Sequence, residues 1–455
     1  MLDVLVFFQY IQAWEWITMN LLSEIQSARD DPKEMESLYQ TACKADKCEE
    51  FRLALEACYQ ESPEDILYAA WHYRLQASLE QDSSQAAGVN WKLAVPLGIA
   101  TGLIFWGLSD FNVHFLDHLP YLALLWAPIA TLFALGFLAF TAQRHYRRSL
   151  LVGIAVCLAS AYVLLIAPSQ KSGYHRHYLD LMIIHLPLLS WISLGISVLE
   201  RGTRPRNKFA FLMKSIEVML TAGVYLVAGA VFVAITNGMF QALSIELPDI
   251  TIRLITFGGI GLIPVLALAS SYNPRFRPQE QDFTQGLSRF VATLMRLLLP
   301  LTLAVLVIYI LFIPFNFMEP FKNRDVLIVY NLMLFAIMGL LIGATPVRTE
   351  DLSLQLQKGL RYGILVVAIL AVLVSIYALS ATVYRTIEGG ITMNRLTIIG
   401  WNSINIAILI VLIYKQFRYR GKNWANHLKS VFSLGMTGYV VWVIFLIVAI
   451  PLLFR

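Results

Sequence analysis

Charge is what this 455-residue chain has least of: 14% of its residues are Asp, Glu, Lys or Arg, against about a quarter in soluble domains. With 58% hydrophobic residues and a mean hydropathy of +0.63, that shortage excludes a protein folded wholly in water and places most of the chain in lipid. Cysteine is scarce too. Cys43, Cys48, Cys58 and Cys157 give no disulfide framework, and the first two are too far apart for a CxxC redox pair, so free thiols are expected. No GxxxxGK[ST] loop, GxSxG elbow or Cys–His nucleophile occurs. ATP hydrolysis and the common acyl-transfer designs are therefore not expected of this chain, and no catalytic residue or cofactor is assigned.

The charge that is present is unevenly placed. Residues 1–90 hold 16 acidic and 6 basic side chains, and the remainder 14 acidic and 29 basic. Two domains follow: an acidic cytosolic helical domain over 1–89 and a basic transmembrane helical domain over 90–455. The opening MLDVLVFFQYIQAWEWITMNLL carries Asp3 and Glu15, has no basic leader, and reads as a helix buried against its neighbours or lying at the interface, not as a signal peptide. Asp31-Pro32 predicts an N-cap followed by proline at N1, and Ser62-Pro63-Glu64-Asp65 repeats the device. The helix after it places Ile66, Tyr73 and Ala77, or Ala69, Ala70 and Tyr73, on one side. DSSQAAG, 82–88, is the linker.

Eleven spans are expected, near 91–109, 119–141, 149–168, 179–199, 209–235, 250–270, 290–314, 326–345, 362–383, 396–414 and 431–454. The loops between them alternate in charge. Those at 143–148, 200–208, 273–281, 346–361 and 415–429 carry 17 Lys and Arg, and the other five about 6. The positive-inside rule then puts the basic loops and the N-terminus in the cytoplasm and Arg455 outside. The partners this implies are the lipid bilayer, anionic lipid at the basic loops, and a cytosolic protein at residues 1–89. Nucleic acid is not one of them, because the soluble domain is acidic.

The stretch ATVYRTIEGGITMNRLTIIGW, 381–401, falls on the outer side. Gly389-Gly390 suits a tight re-entry turn, while Tyr384, Arg385 and Arg395 suit headgroup anchors. The order Tyr384-Arg385, Gly390-Ile391-Thr392, Arg395, then a span and a basic loop, resembles the C-terminal signature of a bacterial multi-spanning membrane family, domain of unknown function 4153. The likeness runs over about residues 210–430 and includes the rhythm of MRLLLPLTLAVLVIYI. Where the pattern leads one to expect an aromatic before the glycine of the turn, this chain has Gly389. The resemblance implies an integral inner-membrane protein and carries no activity.

Polar groups inside spans mark bundle interiors or pathways. Arg253, Arg296, Asn331 and Asn402 are the candidate substrate-binding residues, with Arg385 and Arg395 at an outer gate. Asn405 is a further polar position, and Lys214 with Glu217 at i+3 predicts a local ion pair. His114, His118, His175 and His177 are candidate metal ligands by residue type, without an HExxH pattern. Gly258-Gly259, Gly261 and Pro264 mark a possible break in the sixth span; Gly98-x3-Gly102 and Gly339-x3-Gly343 predict close helix packing. The expected fold is all-α, a polytopic transmembrane bundle with a small helical head. The expected function is permease-like, handling lipid or a small solute without ATP on this chain. The alternative is a non-transporting sensor or scaffold whose head docks a cytosolic partner.

Overall fold

The computed structural model describes residues 21–44, 48–85, 89–110, 114–115, 119–167, 174–200, 202–283, 286–349, 352–419 and 423–454. The expected first helix within 1–20, His118, the side chain of His114 and the end of the linker lie outside them. Two compact units result, Met1–Gly88 and Val89–Arg455.

The first unit contains α1 (Pro32–Lys44), α2 (Cys48–Glu61) and α3 (Ile66–Gln85). Asp31 caps α1 as expected, its Oδ1 accepting from the backbone N–H of Lys33 at 2.8 Å and Glu34 at 3.1 Å. The cap of α3 is Asp65 and not Ser62, because Pro63 and Glu64 form the turn before it. Its Oδ1 accepts from Leu67 at 2.9 Å and Tyr68 at 3.1 Å, and Oδ2 accepts from Arg29 Nε at 2.6 Å. That guanidinium first, with the two backbone N–H groups adding to it, holds the Asp65 carboxyl below its ordinary pKa against burial, which raises it. The expected inner face of α3 is also corrected. Ile66 and Tyr73 are 87% and 61% exposed, and Tyr68, Trp71 and Leu75 are buried. Trp71 turns α3 because its ring completes an aromatic cluster with Tyr39 and Phe51, centroids 5.3 and 5.9 Å away. Cys43 and Cys48 are not free: at the facing ends of α1 and α2 their Cα atoms stand 4.4 Å apart and they form a disulfide. Cys58 and Cys157 are free thiols.

The second unit is an all-α bundle whose eleven long helices are apolar enough to cross a membrane. They are α4 (Trp91–Leu108), α5 (Tyr121–Ala142), α6 (Tyr146–Ile166), α7 (Tyr174–Val198), α8 (Pro205–Ala242), α9 (Asp249–Ser271), α10 (Gly286–Phe312), α11 (Arg324–Ala344), α12 (Leu354–Gly389), α13 (Met393–Arg418) and α14 (Trp424–Val448). Each predicted span corresponds to one of them. A two-stranded antiparallel pair, β1 (His114–Phe115) and β2 (Leu119–Pro120), joins α4 to α5.

Side chains from the basic loops lock those loops to one another. Arg144 Nη2 donates to Pro274 O at 3.5 Å, Arg277 Nη2 to Glu200 at 3.4 Å, and Arg361 Nη2 to Gln416 O at 2.8 Å. Gln279 N donates to Asn207 Oδ1 at 3.0 Å, Ser433 Oγ to Pro205 O at 2.7 Å, and Lys429 Nζ to Val347 O at 2.7 Å. The other helix ends meet separately, through Trp106 on Ile250 O, Tyr377 on Phe317 O and Tyr178 on Ile447 O. The charge alternation read along the chain thus becomes segregation between two ends of a bundle.

Close packing follows the small residues. A Cβ on Gly102 would lie 2.5 Å from Gly258 O, and one on Gly261 would lie 2.6 Å from Gly102 Cα. Helices α4 and α9 therefore touch backbone to backbone, the behaviour expected of small residues in membranes. The interruption of α9 is a π turn, Leu254–Gly258, and the helix continues through Pro264. Only 6% of the apolar window of α8 and 11% of that of α10 are covered, against 56% for α5 and 50% for α12. Within the body α8 and α10 are thus peripheral and α5 and α12 central.

Candidate functional site

Two large hydrophobic clusters fill the bundle, and Trp191 and Tyr439 pack against both. At that seam α7, α13 and α14 bring polar side chains together. His185 on α7 is 2% exposed. Its Nδ1 lies 2.7 Å from Leu181 O, and its Nε2 lies 3.2 Å from Trp401 Nε1 on α13. Indole N–H only donates, so Nε2 accepts and the proton sits on Nδ1, directed at the carbonyl one turn back. This is a neutral, orientated imidazole.

Trp401 packs edge-on against Phe335, centroids 5.3 Å apart, and against Tyr439 on α14 at 5.4 Å. The Tyr439 hydroxyl donates to Asn405 Oδ1 at 2.5 Å. Asn402 and Asn405 stand one turn apart on α13, 2% and 0% exposed. Among the described residues the Nδ2 of each has no hydrogen-bond partner, and neither has the Oγ of Ser190, one to two turns along α7 from His185. Unpaired polar groups in hydrocarbon cost several kcal/mol each, and an amide nitrogen brings two donors. Such atoms are usually satisfied by water or a ligand. The chemistry on offer is neutral: hydrogen-bond donation from two amides and a hydroxyl beside an aromatic wall.

The predicted residues are dispersed. Arg253 is fully engaged where α9 begins: Nη1 meets Asp110 at 3.2 Å and Asp249 at 3.8 Å, Nε donates to Ser109 Oγ at 3.1 Å, and Nη2 to Trp106 O at 3.4 Å. It ties α9 to the end of α4. Arg296 on α10 has a buried Nε without a partner. Asn331 on α11 donates back to Leu327 O at 2.6 Å and leaves Oδ1 unpartnered. Asn402 alone joins the polar centre.

At the turn after α12, Arg385 donates to Lys322 O at 3.2 Å and Arg395 to Gly390 O at 2.7 Å. Thr392 caps α13 by accepting from Arg395 N, and Gly390 has φ +76°. The Arg395 bonds close a tight turn upon itself while Arg385 ties it to the segment before α11, and the glycine is needed for its left-handed backbone. His175 is half-buried and His177 exposed on the first turn of α7. Two residues apart on a helix, they do not share a face. Among the described residues no three His, Cys, Asp or Glu stand together as a metal site.

The expected ion pair is present: Lys214 Nζ meets Glu217 Oε2 at 2.8 Å and Ser288 Oγ at 2.9 Å, and Ser288 also donates to Glu217. Sequence reading missed the roles of His185, Trp401 and Tyr439. A histidine and an indole inside apolar runs were visible, but no spacing links α7, α13 and α14. It also missed three clefts. One, of about 490 Å³ between α13 and α14, is apolar and includes Ile404, Gly438 and Trp442. The other two, of about 30 and 100 Å³, adjoin where α5, α7, α8 and α9 meet at the basic end. None of the six predicted substrate-binding residues lines any of the three. No family model, curated protein or solved structure matches this chain.

Proposed function

We propose that the membrane body is permease-like and handles a small polar solute or lipid, without ATP hydrolysis on this chain. The observation that carries this reading is the pair of buried, unpartnered amide nitrogens of Asn402 and Asn405 inside the bundle. A span that keeps two donors unsatisfied in hydrocarbon is stabilised when a solute or water accepts from them. Arg296 Nε and Asn331 Oδ1 are further unpartnered polar atoms within spans, and they extend the candidate pathway beyond α13. In this reading the protein lies in the bacterial cytoplasmic membrane, multi-pass, with its N-terminus and basic loops cytoplasmic and anionic lipid at those loops. The kinship with domain of unknown function 4153 is part of the same proposal.

Native mass spectrometry of gently purified full-length protein tests it, with Asn402→Leu/Asn405→Leu as the comparison. A solute retained at fixed stoichiometry by the parent and lost by the variant is the expected result. Retention unchanged in the variant removes the polar centre from the pathway. Elemental analysis of the same sample reads any metal at His114, His118, His175 and His177.

A second reading is favoured by Ile66 and Tyr73, which share an exposed face of α3 at i, i+7. In it the acidic head docks a cytosolic protein and the body is a sensor or scaffold. An empty body, together with a partner bound only when residues 1–89 are present and lost in Ile66→Ser/Tyr73→Ser, would replace the first reading by this one.

A further inference from the structure

The two adjoining clefts at the basic end differ in chemistry. The smaller, of about 30 Å³, is bordered by Arg144, His145, Glu200 and Arg277. The larger, of about 100 Å³, is bordered by Trp191, Leu194, Phe211 and Val218. Leu138, Val198 and Tyr272 belong to both walls, so the clefts adjoin. Lys214 also borders the apolar cleft, but its charge is held by Glu217 and Ser288.

The polar mouth carries two guanidinium groups against one carboxylate, and their present bonds are weak ones. Arg144 reaches Pro274 O at 3.5 Å, the outer limit of a hydrogen bond. Arg277 and Glu200 are 3.4 Å apart with side chains 50% and 46% exposed, a pair of the kind that contributes little in water. Arg144 is presented by a turn whose neighbours Gln143 and His145 both have left-handed backbone, φ 52° and 61°. That conformation is uncommon outside glycine and persists where surroundings hold it. Guanidinium forks match planar oxyanions. The mouth has room for about two waters, which suits a carboxylate or the exposed oxygens of a phosphate. The apolar cleft has room for a few methylenes beyond it.

We propose that these clefts bind an anionic single-chain amphiphile, with its oxyanion between Arg144 and Arg277 and the first part of its chain against Trp191 and Phe211. The oxyanion is either a fatty-acid carboxylate or a lysophospholipid phosphate. The proposal deepens the lipid-handling reading above and rests on it, yet it stands on different residues from Asn402 and Asn405.

The test uses full-length protein in neutral detergent, with dibromostearate as a quencher of Trp191 fluorescence. Saturable quenching is expected, lost in Trp191→Phe and displaced by oleate or by lysophosphatidylglycerol. Whichever displaces at lower concentration assigns the headgroup. Arg144→Gln/Arg277→Gln weakens binding roughly tenfold or more, the loss expected for charge-assisted hydrogen bonds. If that variant fails to fold, Leu194→Trp serves instead: it fills the apolar cleft with the arginines intact and abolishes quenching. Displacement by methyl oleate as effective as by oleate overturns the anionic head. Displacement by inorganic phosphate alone overturns the chain. Quenching that is unsaturable, or unchanged in both variants, overturns the site. Binding is read here without solute retention, so an empty polar centre leaves this result standing, and failed quenching leaves the polar centre untouched.

Discussion

Lys214–Glu217–Ser288 and His185–Asn402–Asn405 are two polar groups inside one membrane body, and they are equally dry. The first three are 6%, 6% and 7% exposed, the second three 2%, 2% and 0%, so burial does not separate them. Satisfaction does. In the first group each charge meets its opposite and the hydroxyl bridges both. In the second, His185 has both ring nitrogens engaged while two amide nitrogens have no partner among the described residues. A closed polar set rigidifies a bundle; an open one asks for a ligand or water. The first therefore reads as structure and the second as a site.

The sharpest way to break that comparison is to open the closed set. Glu217→Leu strands Lys214 among apolar neighbours and is expected to cost about 3–5 kcal/mol, because a buried charge loses its partner. Thermal unfolding of the detergent-solubilised protein measures it. Lys214→Met/Glu217→Leu removes both charges and should recover most of the loss. A double variant as unstable as the single one would mean that the pair does more than neutralise itself.

A packing change without polarity calibrates the scale. Gly102→Ala puts a methyl 2.5 Å from Gly258 O, and overpacking of this kind costs about 1–3 kcal/mol. The same melting experiment reads it, and an unchanged midpoint would show that α4 and α9 separate freely.

The open set should respond with the opposite sign. Asn402→Leu removes an unsatisfied donor, so the melting midpoint is expected to hold or rise, by up to about 1 kcal/mol. A large destabilisation would show that Asn402 bonds within the protein, and the contrast with Glu217 would vanish.

The smallest effect is expected in the head, where the charged cap pairs with a half-exposed Arg29. Arg29 and two backbone N–H groups lower the Asp65 pKa from its ordinary 3.8. A lowered folded pKa contributes stability that is complete above pH 3.8 and lost as pH falls below it. Hydrogen exchange of the Leu67 and Tyr68 amides in the full chain should therefore quicken on acidification toward pH 3. In Asp65→Asn the extra acid sensitivity should be absent. Equal acid sensitivity in both proteins would remove the carboxylate from that role.

The membrane class and the position of every span were legible because apolar length is a local property: twenty residues suffice to show it. The Lys214–Glu217 pair was legible for the same reason, three positions apart on one helix. Gly102 announced close packing but not its partners, Gly258 and Gly261, and Gly98 makes only ordinary contact with Leu262 and Leu266. The face of α3 was misread because alanine spacing along one helix says little beside a tryptophan that stacks on two others. Asn402 was singled out as a polar residue in a span, but so were Arg253 and Asn331, and nothing local distinguishes a tethered group from an open one.

By itself, then, the chain determined what depends on nearest neighbours and on solvent: eleven apolar helices, an acidic head, basic loops alternating with weakly charged ones, and the tight turn at Gly390. Tertiary structure decided which polar atoms are left without partners, since pairing is settled by residues distant in sequence, such as Trp401 and His185, 216 positions apart. It likewise decided that Arg144 and Arg277, 133 positions apart, border the same cleft. Hydrophobicity is additive along a sequence, whereas hydrogen-bond satisfaction depends on which helices meet, and for the polar groups of this membrane body that geometry separates a strut from a site.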